Sequence, residues 1–486
     1  MYILNPDKMR EVDRYAIEKL GISGIELMKN AAASIFEELK EKCADNITVI
    51  AGKGNNGGDA LILAGMLADG GYCTRVYTMA PYADMGDSNR GILDSLNKKG
   101  IQVSYYDESS DISADIIIDG LLGTGFKGSL EDRYRDAIEK INRADSYIVS
   151  ADIPSGLDAK SGEVPDTCVK ADLTVTFGAA KTGFFQGKGP EVVGRLAVKD
   201  IGLPPDAFTI ITEKNHYIDE TMIAGIIPRR KIDSNKGDFG KTMIAAGSKK
   251  MPGAGILCCK AAMKAGAGYV FCRTQKENRA VYCVNIPEAI HADRFDPEKY
   301  DSVAIGPGLG VNRGTKKLIK KALNCGKLKL ILDADALNSI SDLSALKTAK
   351  ARILITPHPK EMARLLGISV GTVQENRLKV CSDFSVKYNT ITLLKGHHTV
   401  ISDENGNIYV NSTGNSALSK AGTGDVLTGL IAGFSAYMDL FEAALLAAYL
   451  HGFCADMYIL NRSPFSLTAS ELIDYLPEAL ARAGLR

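Results

Sequence analysis

A chain of 486 residues is long enough for two or three ordinary domains. Its 45% hydrophobic and 24% charged content is that of a soluble globular protein, and 58 Lys+Arg against 58 Asp+Glu leave no net field to favour nucleic acid or an anionic membrane. Ten scattered cysteines with no C-x-x-C spacing argue against a zinc or disulfide framework.

The opening residues carry Asp7, Arg10, Glu11, Asp13 and Arg14 in an amphipathic pattern, with no apolar leader segment. No run of eighteen apolar residues occurs, so the expectation is a cytoplasmic protein with neither membrane nor nucleic-acid partner. The first clear strand is NITVIA (46–51), followed by a Gly-rich turn and a helix from about Gly58 to Ala68. Further short β-rich runs follow at 73–79, 114–120, 147–153 and 171–178, several of them separated by helical patterns. This alternation predicts a mostly parallel sheet with helices on both faces, with ligands at the carboxyl ends of its strands.

Polar clusters fall at those ends. Gly52-Lys53-Gly54-Asn55-Asn56-Gly57-Gly58-Asp59 follows the first strand, where converging backbone N–H groups favour an anion; its spacing is not the dinucleotide fingerprint. Asp119 through Phe126 (DGLLGTGF) and Asp152 through Asp158 (DIPSGLD) follow two later strands. Either aspartate alone could be a turn former or cap. Three such clusters at one sheet end point instead to a site.

GKGNNGGD, DGLLGTGF and DIPSGLD, in this order, resemble the NAD(P)HX epimerase domain, a Rossmann-like fold, over roughly residues 1–210. The resemblance implies substrate contacts from Asn55, Asn56, Gly57, Gly58 and Asp59, and from Gly123, Thr124, Gly125, Phe126, Lys127, Gly128 and Ser129. It also implies a potassium ion (K+) near Asn56, Asp119 and Ser155, and Asp152 as the acid/base. Ala60 departs from the family's usual glycine, so a methyl group could crowd the helix start.

Between about Gly202 and Asp238 the periodicity breaks at Pro204-Pro205, Pro228-Arg229-Arg230-Lys231 and Lys236-Gly237-Asp238, which places a domain boundary near residue 215. A second α/β series follows, with strands expected at 241–247, 302–306, 328–335, 352–356 and 392–396. Then comes a hairpin turning at Glu404-Asn405-Gly406-Asn407, and long helices from Gly424 onward. The turn Asn415-Ser416-Ala417-Leu418-Ser419-Lys420-Ala421-Gly422-Thr423-Gly424-Asp425 runs into a helix. Its backbone amides would form an anion hole for a transferring phosphoryl group, with Asp425 beside it as base. Thr356-Pro357-His358-Pro359-Lys360-Glu361 brings His358 and Glu361 to a strand end, near phosphate or magnesium. Lys395-Gly396-His397-His398-Thr399 puts a cation where nucleotide phosphates could lie. Neighbouring His397 and His398 should diverge in extended chain, which argues against a metal pair.

LDADALN, TPHPKE, LLKGHHTVI and AGTGDVLTG together resemble the ribokinase-like ADP/ATP-dependent NAD(P)HX dehydratase domain, from about Tyr217 to the C-terminus. The resemblance implies substrate contacts at Gly255, Gly308, His358 and Asp425. It implies nucleotide contacts from Lys395, Gly396, His397, His398 and Thr399 and from Asn415 through Gly424. Sugar kinases carry Asn-x-x-Glu near magnesium where this chain has His358-x-x-Glu361, so those ligands do not carry over directly.

The expected architecture is therefore α/β, with two three-layer αβα domains: a Rossmann-like epimerase over 1–214 and a ribokinase-like dehydratase over 215–486. Such a fusion would epimerise R- and S-NAD(P)HX and dehydrate the S form with ADP, favoured over ATP by the resemblance, using K+ and Mg2+. Its partners would be NADHX, NADPHX and the nucleotide, in a homo-oligomer. The competing readings are a small-molecule kinase with a stable phosphorylated product, and a nucleotide-sensing N-terminal domain that docks a partner.

Overall fold

The computed structural model describes residues 1–40, 42–212 and 214–484. The last two residues of the expected second domain lie outside them. The chain divides into two compact units, Met1–Asn215 and His216 onward.

In the first unit, helix α1 (Pro6–Glu18) precedes seven parallel strands. These are β1 (Asn46–Ala51), β2 (Cys73–Thr78), β3 (Gln102–Tyr105), β4 (Ile116–Gly120), β5 (Tyr147–Ala151), β6 (Leu173–Phe177) and β7 (Arg195–Lys199), in the order β3-β2-β1-β4-β5-β6-β7. Successive strand side chains point to opposite faces. Ile47, Val49, Ile116 and Ile118 accordingly join one core, while Ile50 and Ile117 join another beneath Ile138 and Ile141 of the helix Asp132–Arg143. Two cores on two faces make the unit three-layered. A short parallel pair, Ile3–Leu4 with Ala180–Lys181, went unread in the sequence because two residues carry no periodicity.

The helix after β1 begins earlier than expected. Helix α2 spans Asn55–Asp69, so Asn55 to Asp59 form its first turn and not a preceding loop. Gly52 permits this, because a Cβ there would lie 1.9 Å from the Leu121 carbonyl oxygen. The Ala60 methyl is accommodated by Gly120, where a Cβ would come within 2.4 Å of it.

In the second unit the sheet has ten strands among the described residues: β8 (Asn215–Ile218), β9 (Lys241–Ala245), β10 (Tyr269–Arg273), β11 (Ile290–His291), β12 (Ser302–Ile305), β13 (Lys329–Leu332), β14 (Arg352–Ile355), β15 (Ile391–Leu394), β16 (Val400–Ser402) and β17 (Ile408–Asn411). Their order is β8-β17-β16-β15-β14-β13-β12-β9-β10-β11. The pairing is parallel from β11 to β15, and the expected hairpin makes β15, β16 and β17 antiparallel. The region whose periodicity breaks holds β8 and a short helix, Glu220–Ile226, both too brief to read through the prolines.

Helices α3 (Pro252–Lys264), α4 (Pro359–Leu366), α5 (Arg377–Tyr388), α6 (Thr423–Ser435), α7 (Leu440–Ile459) and α8 (Ala469–Arg482) flank this sheet. Helix α7 is long and apolar enough to cross a membrane, but 78% of its apolar window is buried in the protein, where it packs with α3, α6 and α8 in one core.

Candidate active sites

In the first unit the carboxyl ends of β4, β5 and β6 converge. Asp119, fully buried on β4, accepts hydrogen bonds on Oδ1 from Ser155 Oγ (2.5 Å) and on Oδ2 from Ser150 Oγ (2.8 Å) and the Ser155 amide (2.9 Å). Burial raises its carboxyl, and the Ser155 bonds work against that rise. Asn56 Nδ2 donates to the Leu122 carbonyl (2.8 Å), and the Leu122 amide donates to Ser155 Oγ (2.9 Å). Asn56 Oδ1 is buried without a hydrogen-bond partner. Asn56, Ser155 and Asp119 thus share one oxygen-rich spot.

Asp152 directly follows β5 with φ 57, in the left-handed region where a non-glycine residue is strained. Its Oδ1 accepts from Lys181 Nζ (2.5 Å) and Thr176 Oγ1 (2.9 Å). The Lys181 side chain is 1% exposed, so its charge is matched inside the protein. Asp13 of α1 and Asp59 of α2 face the same pair. Burial pushes Asp13 up to about 6, and it raises Asp59 strongly with Asp152 and Asp13 adding to the rise. Helix α1 also reaches the Gly123–Ser129 loop through Arg10 Nη1 and the Thr124 carbonyl (3.3 Å).

In the second unit, Asp333 at the end of β13 is buried and accepts from Lys395 Nζ (2.8 Å) and Thr428 Oγ1 (2.7 Å). Burial alone would raise its carboxyl, but Lys395, together with Thr428 and Thr356, offsets this and the pKa is lowered. Asp425, in the first turn of α6, has no such partner among the described residues. Burial and the Asp333 charge push it up to about 6, with Lys395 pulling the other way. Gly422 caps α6 at φ 94, and the turn behind it is braced from α7. His451 Nε2 meets the Thr423 carbonyl at 2.9 Å, while Asp456 accepts from the Gly414 amide and Asn415 Nδ2, both at 2.8 Å.

Gly255 and Gly308 meet beside this helix. A Cβ on Gly308 would lie 3.0 Å from the Ala254 Cβ, and one on Gly255 would lie 2.0 Å from the Tyr282 hydroxyl. Cys258 Sγ donates to the Asp425 carbonyl (3.1 Å), which joins α3 to the start of α6. His358 lies next to the Lys395 loop, whose Lys395 amide donates to the Pro357 carbonyl (2.9 Å).

Known protein families match both units. Residues 24–183 match the family described as YjeF-related protein N-terminus, and residues 242–478 match the family NAD(P)H-hydrate dehydratase. A bifunctional NAD(P)H-hydrate repair enzyme from Moorella thermoacetica is 34% identical, across 99% of this chain and 97% of the relative. One from Coxiella burnetii is 34% identical, across 96% and 97%. This chain belongs to the bifunctional NAD(P)H-hydrate repair enzymes. The ADP/ATP-dependent NAD(P)H-hydrate dehydratase of Bacillus subtilis, solved with ATP and Mg2+, matches with a TM-score of 0.52 and 33% identity. That match covers 55% of this chain and 99% of the other. Repair of hydrated NAD(P)H is the function of this family member, and a nucleotide is its co-substrate.

Most of the expected site residues gather at these two places, and the expected divergence of His397 from His398 needs correction. His358 caps α4: its Nδ1 accepts from the Lys360 (3.1 Å) and Glu361 (3.2 Å) amides, and Glu361 Oε2 accepts from the His358 amide (2.8 Å). Glu361 is thereby tied into a capping box through Oε2, and its Oε1 lies 3.5 Å from His358 Nε2. His398 does not face outward with the loop. At φ 51 its ring turns inward, is buried, and lies 3.2 Å from the Asn411 carbonyl through Nδ1. The same left-handed turn brings the His397 and His398 rings to 4.0 Å, where extended chain would have separated them.

Sequence reading missed Lys181, Thr176, Asp13, Asn89, Thr428, His451 and Asp456. Asn89 clamps the first turn of α2 through the Lys53 and Gly54 carbonyls, both at 3.2 Å. Apart from Thr428, which lies inside AGTGDVLTG, each is a single polar residue outside the quoted motifs, with no local signal of a role. Asp333 stood inside a quoted motif but had no role until its contact with Lys395 was seen.

Proposed function

We propose that the first site interconverts the two epimers of NAD(P)HX and that the second dehydrates the S epimer, with ADP favoured over ATP as phosphoryl donor. Asp152 gives a proton to the departing ring hydroxyl while the ring nitrogen's lone pair assists. It takes one back from water returning on the other face. Lys181 and Thr176 hold its carboxylate in place. Asn55 to Asp59 and Gly123 to Ser129 line the substrate.

At the second site Asp425 takes the hydroxyl proton as that oxygen attacks the nucleotide's terminal phosphoryl group. The bond to the departing nucleotide breaks, phosphate then leaves the ring carbon, and loss of a proton from the neighbouring carbon restores NAD(P)H. Gly255, Gly308 and His358 would bind the hydrated substrate. Residues 395–399 and 415–424 would bind the nucleotide. The observation that carries the reading is Asp425 itself, a carboxyl pushed up to about 6 in the first turn of a helix, where the leading N–H groups have no intrahelical acceptor.

The residues fit the implied potassium ion. Buried Asn56 Oδ1 lacks a donor and lies with Ser155 and Asp119, an all-oxygen set suited to a hard cation. The ion would supply a fixed positive charge beside the substrate loop. For magnesium, no group of three His, Cys, Asp or Glu side chains among the described residues could hold an ion. That fits a metal carried mainly by nucleotide phosphates, whose charge it would offset. A cytoplasmic homo-oligomer completes the reading, and light scattering on the purified chain measures its assembly.

Recovery of reduced-nicotinamide absorbance from mixed-epimer hydrated NADH tests the proposal, comparing no nucleotide, ADP and ATP. Recovery beyond the amount of one epimer, dependent on ADP, is expected. Recovery limited to one epimer removes the first site's role, and a better response to ATP reverses the donor.

A further inference from the structure

Arg377, the first residue of α5, is 3% exposed. Its guanidinium has no carboxylate partner among the described residues. Nη1 donates to Gln374 Oε1 (2.9 Å), Nη2 lies within reach of the carbonyls of Leu394 (3.4 Å) and His398 (3.3 Å), and Nε is buried with no acceptor. Leu394 ends β15 and Val400 opens β16, so one side chain spans the Lys395–Thr399 loop between them. Gly396, at φ 148, sits directly over the guanidinium, and a Cβ there would lie 2.7 Å from Nη1.

The charges around this loop do not cancel. Lys395, the cation the sequence offered for phosphate, is matched by Asp333. Burial lowers the pKa of both His397 and His398, so neither adds charge near neutral pH. Burial also lowers Arg377, but only to about 10, so it stays protonated. Its positive charge is the uncompensated one behind the loop. Burying an unpaired cation is costly, and planar Arg is the side chain best suited to hold several carbonyls while keeping its charge.

We infer that Arg377 is a positioning residue for the nucleotide. It fixes both ends of the Lys395–Thr399 loop and places a buried positive charge behind Gly396, which favours the anionic phosphates of the co-substrate. The inference rests on this loop being the nucleotide site.

The full chain with Arg377→Met and with Arg377→Lys tests it through nucleotide-dependent repair. For Arg377→Met, KM for ADP should rise roughly tenfold, the loss expected of charge-assisted contacts. KM for hydrated NADH should stay within about twofold. Competitive inhibition by AMP should weaken and that by adenosine should not, since adenosine lacks the phosphate. Arg377→Lys keeps the charge and should recover most of the ADP affinity. An unchanged KM for ADP in Arg377→Met overturns the inference. Equal loss of AMP and adenosine inhibition also overturns it, because that marks a purely structural role. Should Arg377→Met fail to fold, Arg377→Lys decides alone: it must bind AMP nearly as the parent does. Absence of any nucleotide-dependent repair in the parent chain would instead count against the nucleotide site itself.

Discussion

Each unit pairs a lysine, buried in the first and partly buried in the second, with an aspartate at the carboxyl end of parallel strands, but the lysine's choice of partner differs. In the first, Lys181 bonds to Asp152, the aspartate assigned to the chemistry, and the remaining carboxyls Asp13 and Asp59 are pushed up. In the second, Lys395 bonds to Asp333, and Asp425, the proposed base, is pushed up to about 6. A lysine bonded to the carboxyl proposed to react holds it in one orientation. A lysine bonded to its neighbour leaves the reacting carboxyl poised to take up or release a proton near neutral pH. One kind of pair therefore serves two different acid/base needs.

The largest effect expected is from Asp425→Ala, which should lower nucleotide-dependent dehydration roughly 10²–10⁴-fold while epimer exchange continues. Loss of both activities would break the idea of separate sites. Asp152→Asn should lower exchange by roughly 10²-fold or more, so that recovery with ADP stops at the amount of one epimer; chiral chromatography of the residual hydrate reads this. If Lys181→Met leaves exchange intact, the first half of the comparison fails.

The dehydration rate should fall as pH drops through about 6, because Asp425 is protonated below that point and cannot accept the hydroxyl proton. It should level off above. Asp333→Asn removes a charge that raises Asp425, so this acid limb should move to lower pH. A limb that stays in place would separate the two aspartates. The smallest effect concerns His358. His358→Ser retains a capping side chain and should hold stability to within about 1 kcal/mol, while KM for the hydrated substrate rises. An unchanged KM would leave His358 as a helix cap only.

Much of this was readable from residue order. Strand alternation in NITVIA, and the Gly-rich turns after it, located the first sheet and its ligand end because strand period and turn chemistry are local properties. The register of α2 was not readable. It starts at Asn55 because Gly52 and Gly120 let backbone and Ala60 approach closely, a matter of contacts across the sheet. The conformations of the histidines were not readable for a related reason. One residue type can cap a helix, as His358 does, or turn into the core, as His398 does, and backbone conformation chooses between them.

By itself, then, the sequence determined the two α/β units, the ends of the sheets where chemistry gathers, and the aspartates that stand there. Only the tertiary structure decided which charge answers which. Lys181 lies 29 residues beyond Asp152, Lys395 lies 62 beyond Asp333, and Arg377 meets the carbonyls of Leu394 and His398 from helix α5. Pairings of that separation depend on how strands and helices pack, and in a buried site those pairings set the protonation of each group.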